Sequence, residues 1–229
     1  MQRRLVVLCL CLAWVMPAGA NDEASRDRDL AAVASALKDG TDPGAILANP
    51  RYLSLHHETR FRELIRQHAT SRSVLVTPQE PGTPLQVIGI VKDEAGKPTA
   101  GALVYVYHTD HRGWYDAEKP HVGGQAGDAR HARLFAYLKT DAQGRYEFRT
   151  IRPAGYPRST LPQHIHYEVR ASGYQTLVTE LLFEGDPRLT PEMRSMAQRS
   201  RFIISPVRQG ADRVEQATCD IVLARAKGD

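Results

Sequence analysis

The sequence predicts a mainly β protein, an antiparallel β-sandwich preceded by a short N-terminal helical segment. Three observations carry that prediction. From residue 86 onward apolar and polar residues alternate with a period of two; clusters of Asp, Gly, Pro and Ser separate these runs; and between residues 22 and 72 the apolar spacing is close to 3.6. With 229 residues, 42% of them hydrophobic, there is material for one substantial core, and no internal repeat marks a second domain of similar size.

Residues 1–20 read as a secretory signal peptide. Arg3 and Arg4 form a basic start, Leu5 to Val15 an apolar run, and Ala18-Gly19-Ala20 a small-residue cleavage site before Asn21-Asp22-Glu23. About 11 apolar residues are too few for a bilayer that needs roughly 20. No cysteine stands at the cleavage point to carry a lipid. The chain is therefore expected to be exported, periplasmic or secreted, and free of the membrane once cut. Removing the leader's two arginines from 30 basic residues leaves 28 against 26 acidic ones, a formal charge of +2. That near-neutral balance, without a basic block, argues against nucleic acid. Cys9 and Cys11 leave with the leader, so Cys219 cannot form an intrachain disulfide and is expected to be a buried thiol.

Residues 21–79 form the expected helical segment and linker. Helical spacing runs from Asp27 to Leu37, breaks at Gly40 and Pro43, and resumes from Glu58 to His68. His56, His57 and His68 read as surface histidines. The segment either covers a sheet of its own subunit or makes a homodimer contact. Residues 80–229 form the expected sandwich domain. Its strands are read at Gln86–Val91, Ala102–Tyr107, Tyr146–Phe148, Ile165–Val169, Thr176–Phe183, Phe202–Ile204 and Asp220–Leu223, with a helix over Thr190–Ser200. Turns fall at Asp93–Pro98, Asp141–Gly144 and Ser172-Gly173. The stretch Thr109–Ala132 has no period and is long, which points to a site opening there.

On a strand, His164 and His166 project from one face about two residue rises apart, close enough to chelate one metal. Taken alone, that pattern is more often two polar residues on a solvated sheet face than a metal site. There is no G-x-S-x-G, P-loop, H-E-x-x-H or zinc-spaced cysteine pair. Nine tyrosines are present, and spacing does not sort ligands from packing residues.

Four pieces in order, VIGIVKDEAGKPTAGALVYVYHTDHRGWYD, TDAQGRYEFRTIRPAGYP, LPQHIHYEVRASGYQTLVTELLFEGDP and CDIVL, resemble the intradiol ring-cleavage dioxygenases that cleave catechol, hydroxyquinol and protocatechuate. The resemblance implies one Fe(III) bound by Tyr115, Tyr156, His164 and His166. Hard ferric iron favours anionic oxygen, and a phenol ionises on coordinating a cation. The resemblance further implies that an aromatic diol chelates the iron and displaces Tyr156, which acts as both ligand and proton acceptor. O2 then adds to the ring, and the product is a muconate-type diacid. Leu161 stands where the family commonly has an arginine and Glu180 where it has a glutamine; Arg158 is expected to reach the site from the nearby turn. The alternative function is a non-catalytic sandwich that binds iron or a catecholic ligand.

Overall fold

A computed structural model describes residues 18–118 and 132–226. The expected leader up to residue 17, and residues 119–131 of the long aperiodic stretch, lie outside the described residues. Helix α1 (Ala18–Lys38) crosses the expected cleavage point. It is followed by α2 (Pro43–Leu47), a 3-10 turn (Pro50–Leu55) and α3 (Thr59–Gln67). Asp42 starts α2 because its carboxylate accepts from the Gly44 and Ala45 amides and Pro43 supplies a fixed φ. No helix among the described residues is long and apolar enough to cross a membrane.

Two sheets follow. The first has the order β1 (Arg72–Val74), β5 (Arg145–Ile151), β2 (Pro84–Asp93), β10 (Glu215–Thr218) and β9 (Arg208–Gln209), with β11 (Ile221–Leu223) continuing beside β2. The second has the order β4 (Leu134–Lys139), β3 (Leu103–His108), β6 (His164–Arg170), β7 (Leu177–Phe183) and β8 (Ile203–Ser205). They face one another: Tyr146 and Phe148 of β5 each stand 6.4 Å, ring to ring, from Tyr167 of β6. Val87, Val104, Val106, Ile165 and Val169 fill the space around these rings, all fully buried.

The structure corrects several expectations. The sandwich is mixed rather than antiparallel throughout: β1, β8, β10 and β11 all join parallel neighbours. These partners lie far apart in sequence or are linked by a crossover, as β7 and β8 are by helix α4 (Pro191–Arg199), and such connections permit parallel pairing. Strand β4 was hidden because Leu134, Phe135 and Ala136 are all buried, which removes the alternation. β1, at the end of the expected linker, and the short β9 and β10 also escape the periodicity. His56 is not a surface residue: it ends the 3-10 turn and is fully buried, while His57 stays exposed. Cys219 is buried, in the break between β10 and β11.

The inward phase of β6, with Ile165, Tyr167 and Val169 in the core, turns His164 and His166 to the outer face of the second sheet. The helical segment packs on that same face of its own subunit. His56 stacks on Phe61 at 5.3 Å and meets the edge of Phe135 at 5.6 Å. The Arg62 guanidinium lies 3.7 Å over the Phe135 ring and donates to the Tyr105 hydroxyl at 2.6 Å.

Candidate metal centre

Three elements deliver the site. Strand β6 presents His164 and His166, the loop after β3 brings in Tyr115, and the turn after β5 brings in Tyr156. The loop is shaped by Asp110, whose carboxylate accepts from the Arg112 and Trp114 amides at 2.8 and 3.1 Å and from the Arg112 guanidinium at 2.7 Å. Arg133, paired with Glu80 through two 2.7 Å bonds, uses its amide to hold the Tyr115 carbonyl at 2.9 Å. Loop and turn are stitched together. The Ala154 amide donates to the Asp110 carbonyl at 3.0 Å, and the Thr109 hydroxyl donates to the Ala154 carbonyl at 2.7 Å. Gly113, at φ +84°, lies so close to the turn that a Cβ there would sit 2.4 Å from the Gly155 carbonyl oxygen.

The structure brings the four sequence-predicted residues together at their donor atoms. Tyr115 Oη is 2.5 Å from Tyr156 Oη and 2.8 Å from His166 Nε2. Tyr156 Oη is 3.0 Å from His164 Nε2 and 3.2 Å from His166 Nε2, and the two Nε2 atoms are 3.1 Å apart. Two donors bound at roughly 2.0–2.1 Å to one ion, a right angle apart, stand about 3 Å from each other, so these separations fit a shared cation. The protonation pattern fits as well. His164 Nδ1 lies 2.7 Å from the Pro162 carbonyl, which can only accept, so Nδ1 carries the proton and Nε2 keeps its lone pair. Burial, reinforced by repulsion from His166, lowers the His164 pKa and keeps that imidazole neutral. Without a cation the phenols also stay neutral: burial pushes Tyr156 up to about 12 and raises Tyr115 further. A cation at the centre reverses that preference and converts the phenols to phenolates.

Sequence reasoning named Glu180 only as a departure from the family pattern and placed neither it nor Tyr107 beside His166. Tyr107 pairs with His166 across β3 and β6, and its ring stacks on the imidazole at 4.6 Å and 17°. On the other side Glu180 of β7 pairs with His166, its carboxylate 3.3 Å from Nδ1. Burial pushes the Glu180 carboxyl up, but the His166 bond and both imidazoles outweigh it and leave it below the usual carboxylate range. Both residues sit in alternating strands, but only the strand register shows that they flank His166. Arg158 is exposed, with φ +59°, and makes no hydrogen bond or ion pair among the described residues. Arg188, not singled out from the sequence, lies against that turn instead. Its Nη1 donates to the Tyr156 and Leu161 carbonyls at 3.4 and 3.3 Å.

Residues 60–225 match the family model described as Dioxygenase. The chain is 33% identical over 165 residues to catechol 1,2-dioxygenase 2 of Acinetobacter lwoffii, covering 64% of this chain and 56% of that one. It is 30% identical over 162 residues to the protocatechuate 3,4-dioxygenase beta chain of Burkholderia cepacia, covering 62% and 66%. Against the first of these relatives it spans about half of the relative's length. Among solved structures, the dioxygenase domain of a dioxygenase carbohydrate-binding protein fusion from Streptomyces sp. SirexAA-E superposes with a TM-score of 0.52. That pair is 30% identical over 69% of this chain and 90% of that one. Catechol 1,2-dioxygenase from Acinetobacter sp. ADP1, at 21% identity, shares the fold with a TM-score of 0.57 over 93% of this chain and 80% of that one.

Proposed function

This chain belongs to the intradiol ring-cleavage dioxygenase family, and we propose from that premise that it is an exported Fe(III) enzyme that opens a catechol-type ring with O2. Cleavage falls between the two hydroxylated carbons and yields a muconate-type diacid. The observation that carries the proposal is the convergence of Tyr115 Oη, Tyr156 Oη, His164 Nε2 and His166 Nε2. Those four residues are the proposed ligands. A ferric ion held by them would supply a Lewis acid for a diol bound as its dianion, with the ring left electron-rich towards O2.

The chain's own residues do the rest. Tyr156 is half-buried on the turn after β5, and burial makes its phenolate a strong base, so this residue would accept the diol proton. Tyr115 is only 4% exposed and tied at its carbonyl by Arg133, so it stays. Tyr107, stacked on His166, fixes the plane of that imidazole.

A second reading, a binder without turnover, draws on Leu161 and Glu180 in place of the family's usual arginine and glutamine. The test uses full-length protein supplied with iron and measures metal content, visible absorption and oxygen uptake on a panel of catechols and trihydroxybenzenes. A phenolate-to-iron band with oxygen consumption is the expected result. Colourless iron-supplied protein overturns the ligand set, and coloured protein that binds diphenols without taking up oxygen establishes the second reading. Export is tested by the N-terminus of the protein recovered outside the inner membrane, expected at Asn21.

A further inference from the structure

The outer face of the second sheet carries one rung in which Tyr107, His166 and Glu180 stand side by side on β3, β6 and β7. His166 uses its two ring nitrogens in opposite directions. Nε2 faces the phenol oxygens of Tyr115 and Tyr156 at 2.8 and 3.2 Å, and Nδ1 faces the Glu180 carboxylate at 3.3 Å. The two imidazoles are therefore supported unequally: His164 Nδ1 meets a neutral carbonyl and His166 Nδ1 meets an anion. Among the described residues no arginine or lysine pairs with Glu180, although its side chain is only 23% exposed. Leaving a carboxylate partly buried without a cation is costly, so its charge is matched to something at the centre of the site.

We infer that Glu180 is a positioning residue that holds His166 as the Nδ1–H tautomer and strengthens its Nε2 as a metal donor. A carboxylate hydrogen-bonded to a ligating imidazole fixes the ring's orientation and raises its basicity. With two phenolates and this carboxylate the centre carries three negative charges against the three positive charges of Fe(III), a balance that favours the ferric over the ferrous ion. Glu180 also lies beside the imidazole edge turned away from the phenols, which suits an outer partner of His166 rather than a fifth ligand.

The inference rests on the ligand set proposed above, and its test separates the two. Full-length protein, Glu180→Gln and Glu180→Asp are compared by chelator competition for Fe(III), by redox titration and by the visible band. Glu180→Gln keeps the size and removes the charge. It is expected to bind Fe(III) 10- to 100-fold less tightly, the range usual for loss of such an outer partner. Its preference for ferric over ferrous iron is expected to fall about tenfold, a rise of about 59 mV in a one-electron potential. Glu180→Asp keeps the charge at a longer reach and is expected to fall between; it decides the case if the glutamine variant does not fold. Unchanged affinity and potential in folded variants overturn the inference and leave the ligand set standing. Complete loss of iron in Glu180→Gln also overturns it, by making Glu180 a direct ligand. Wild-type protein that binds no iron removes the ligand set itself.

Discussion

Gly113→Ala tests whether the Tyr115 loop and the Tyr156 turn are held at a distance that only glycine allows. The added Cβ would stand 2.4 Å from the Gly155 carbonyl oxygen and 3.0 Å from Pro157 Cδ. A relaxed carbon–oxygen contact is about 3.3 Å, so loop and turn must part by about 1 Å. Alanine at φ +84° costs about 1–2 kcal/mol, and the crowding adds about 1–3 kcal/mol. For a chain of this size each kcal/mol lowers Tm by about 2–4 °C. A metal site tolerates displacements of about 0.5 Å, so the larger effect falls on iron binding. Gly96→Ala is the control: it has the same kind of backbone strain at φ +81° and nothing within 4 Å of the new Cβ. Thermal denaturation and chelator competition are measured on both. Gly96→Ala is expected to lose about 1–2 kcal/mol and keep its iron affinity, whereas Gly113→Ala loses more stability and at least tenfold in affinity. A Gly113→Ala protein that holds iron as tightly as Gly96→Ala refutes the argument.

Three further outcomes follow from the packing. Burial lowers His56 and His108 to about 4 from the ordinary 6.5, so the unfolded chain takes up protons that the fold refuses. The stability tied to each is fully present above pH 6.5 and is lost as pH falls to 4, about 2 kcal/mol apiece at pH 5. Urea unfolding at pH 7 and pH 5 should show His56→Leu losing less than wild type over that interval; equal losses would discard the assignment. Arg62→Ala removes the cation over Phe135 and the donor to the His56 and Ala132 carbonyls, a loss of about 3–5 kcal/mol, and limited proteolysis should then release residues 21–68 first. In protein starting at Asn21, Cys219 is buried with its thiol pushed up to about 12, so a thiol reagent should find no reactive group until the protein unfolds.

The fold was legible wherever a strand has one face inside and one outside. β2, β3, β5 and β6 alternate buried and more exposed residues over most of their length, and all four were read from that period. β4 was lost because the helical segment covers the face that would otherwise have been polar. The same helical cover accounts for His56, whose position next to His57 gave no hint of which would turn inward. At the site, alternation placed His164 and His166 on one face. Tyr115 and Tyr156 sit on aperiodic loops, and only the resemblance to a family distinguished them among nine tyrosines. Tyr107 and Glu180 were in plain view as strand residues, but their meaning depends on register across three strands, which no single segment encodes.

The pairing of β2 with β10 and β11 has a consequence for timing. The Ile90 amide is bonded to the Asp220 carboxylate across 130 residues of chain, and Ile221 and Leu223 complete the core beside β2. Contacts so distant in sequence form slowly and only after the intervening chain is available. Until those last strands arrive, the first sheet is open along β2, while β5, which leads directly into the Tyr156 turn, already has both its neighbours, β1 and β2. The four proposed ligands, Tyr115, Tyr156, His164 and His166, all precede β10 and β11 in the chain. The first sheet therefore closes only with the finished polypeptide, after the whole of the proposed ligand set has been made.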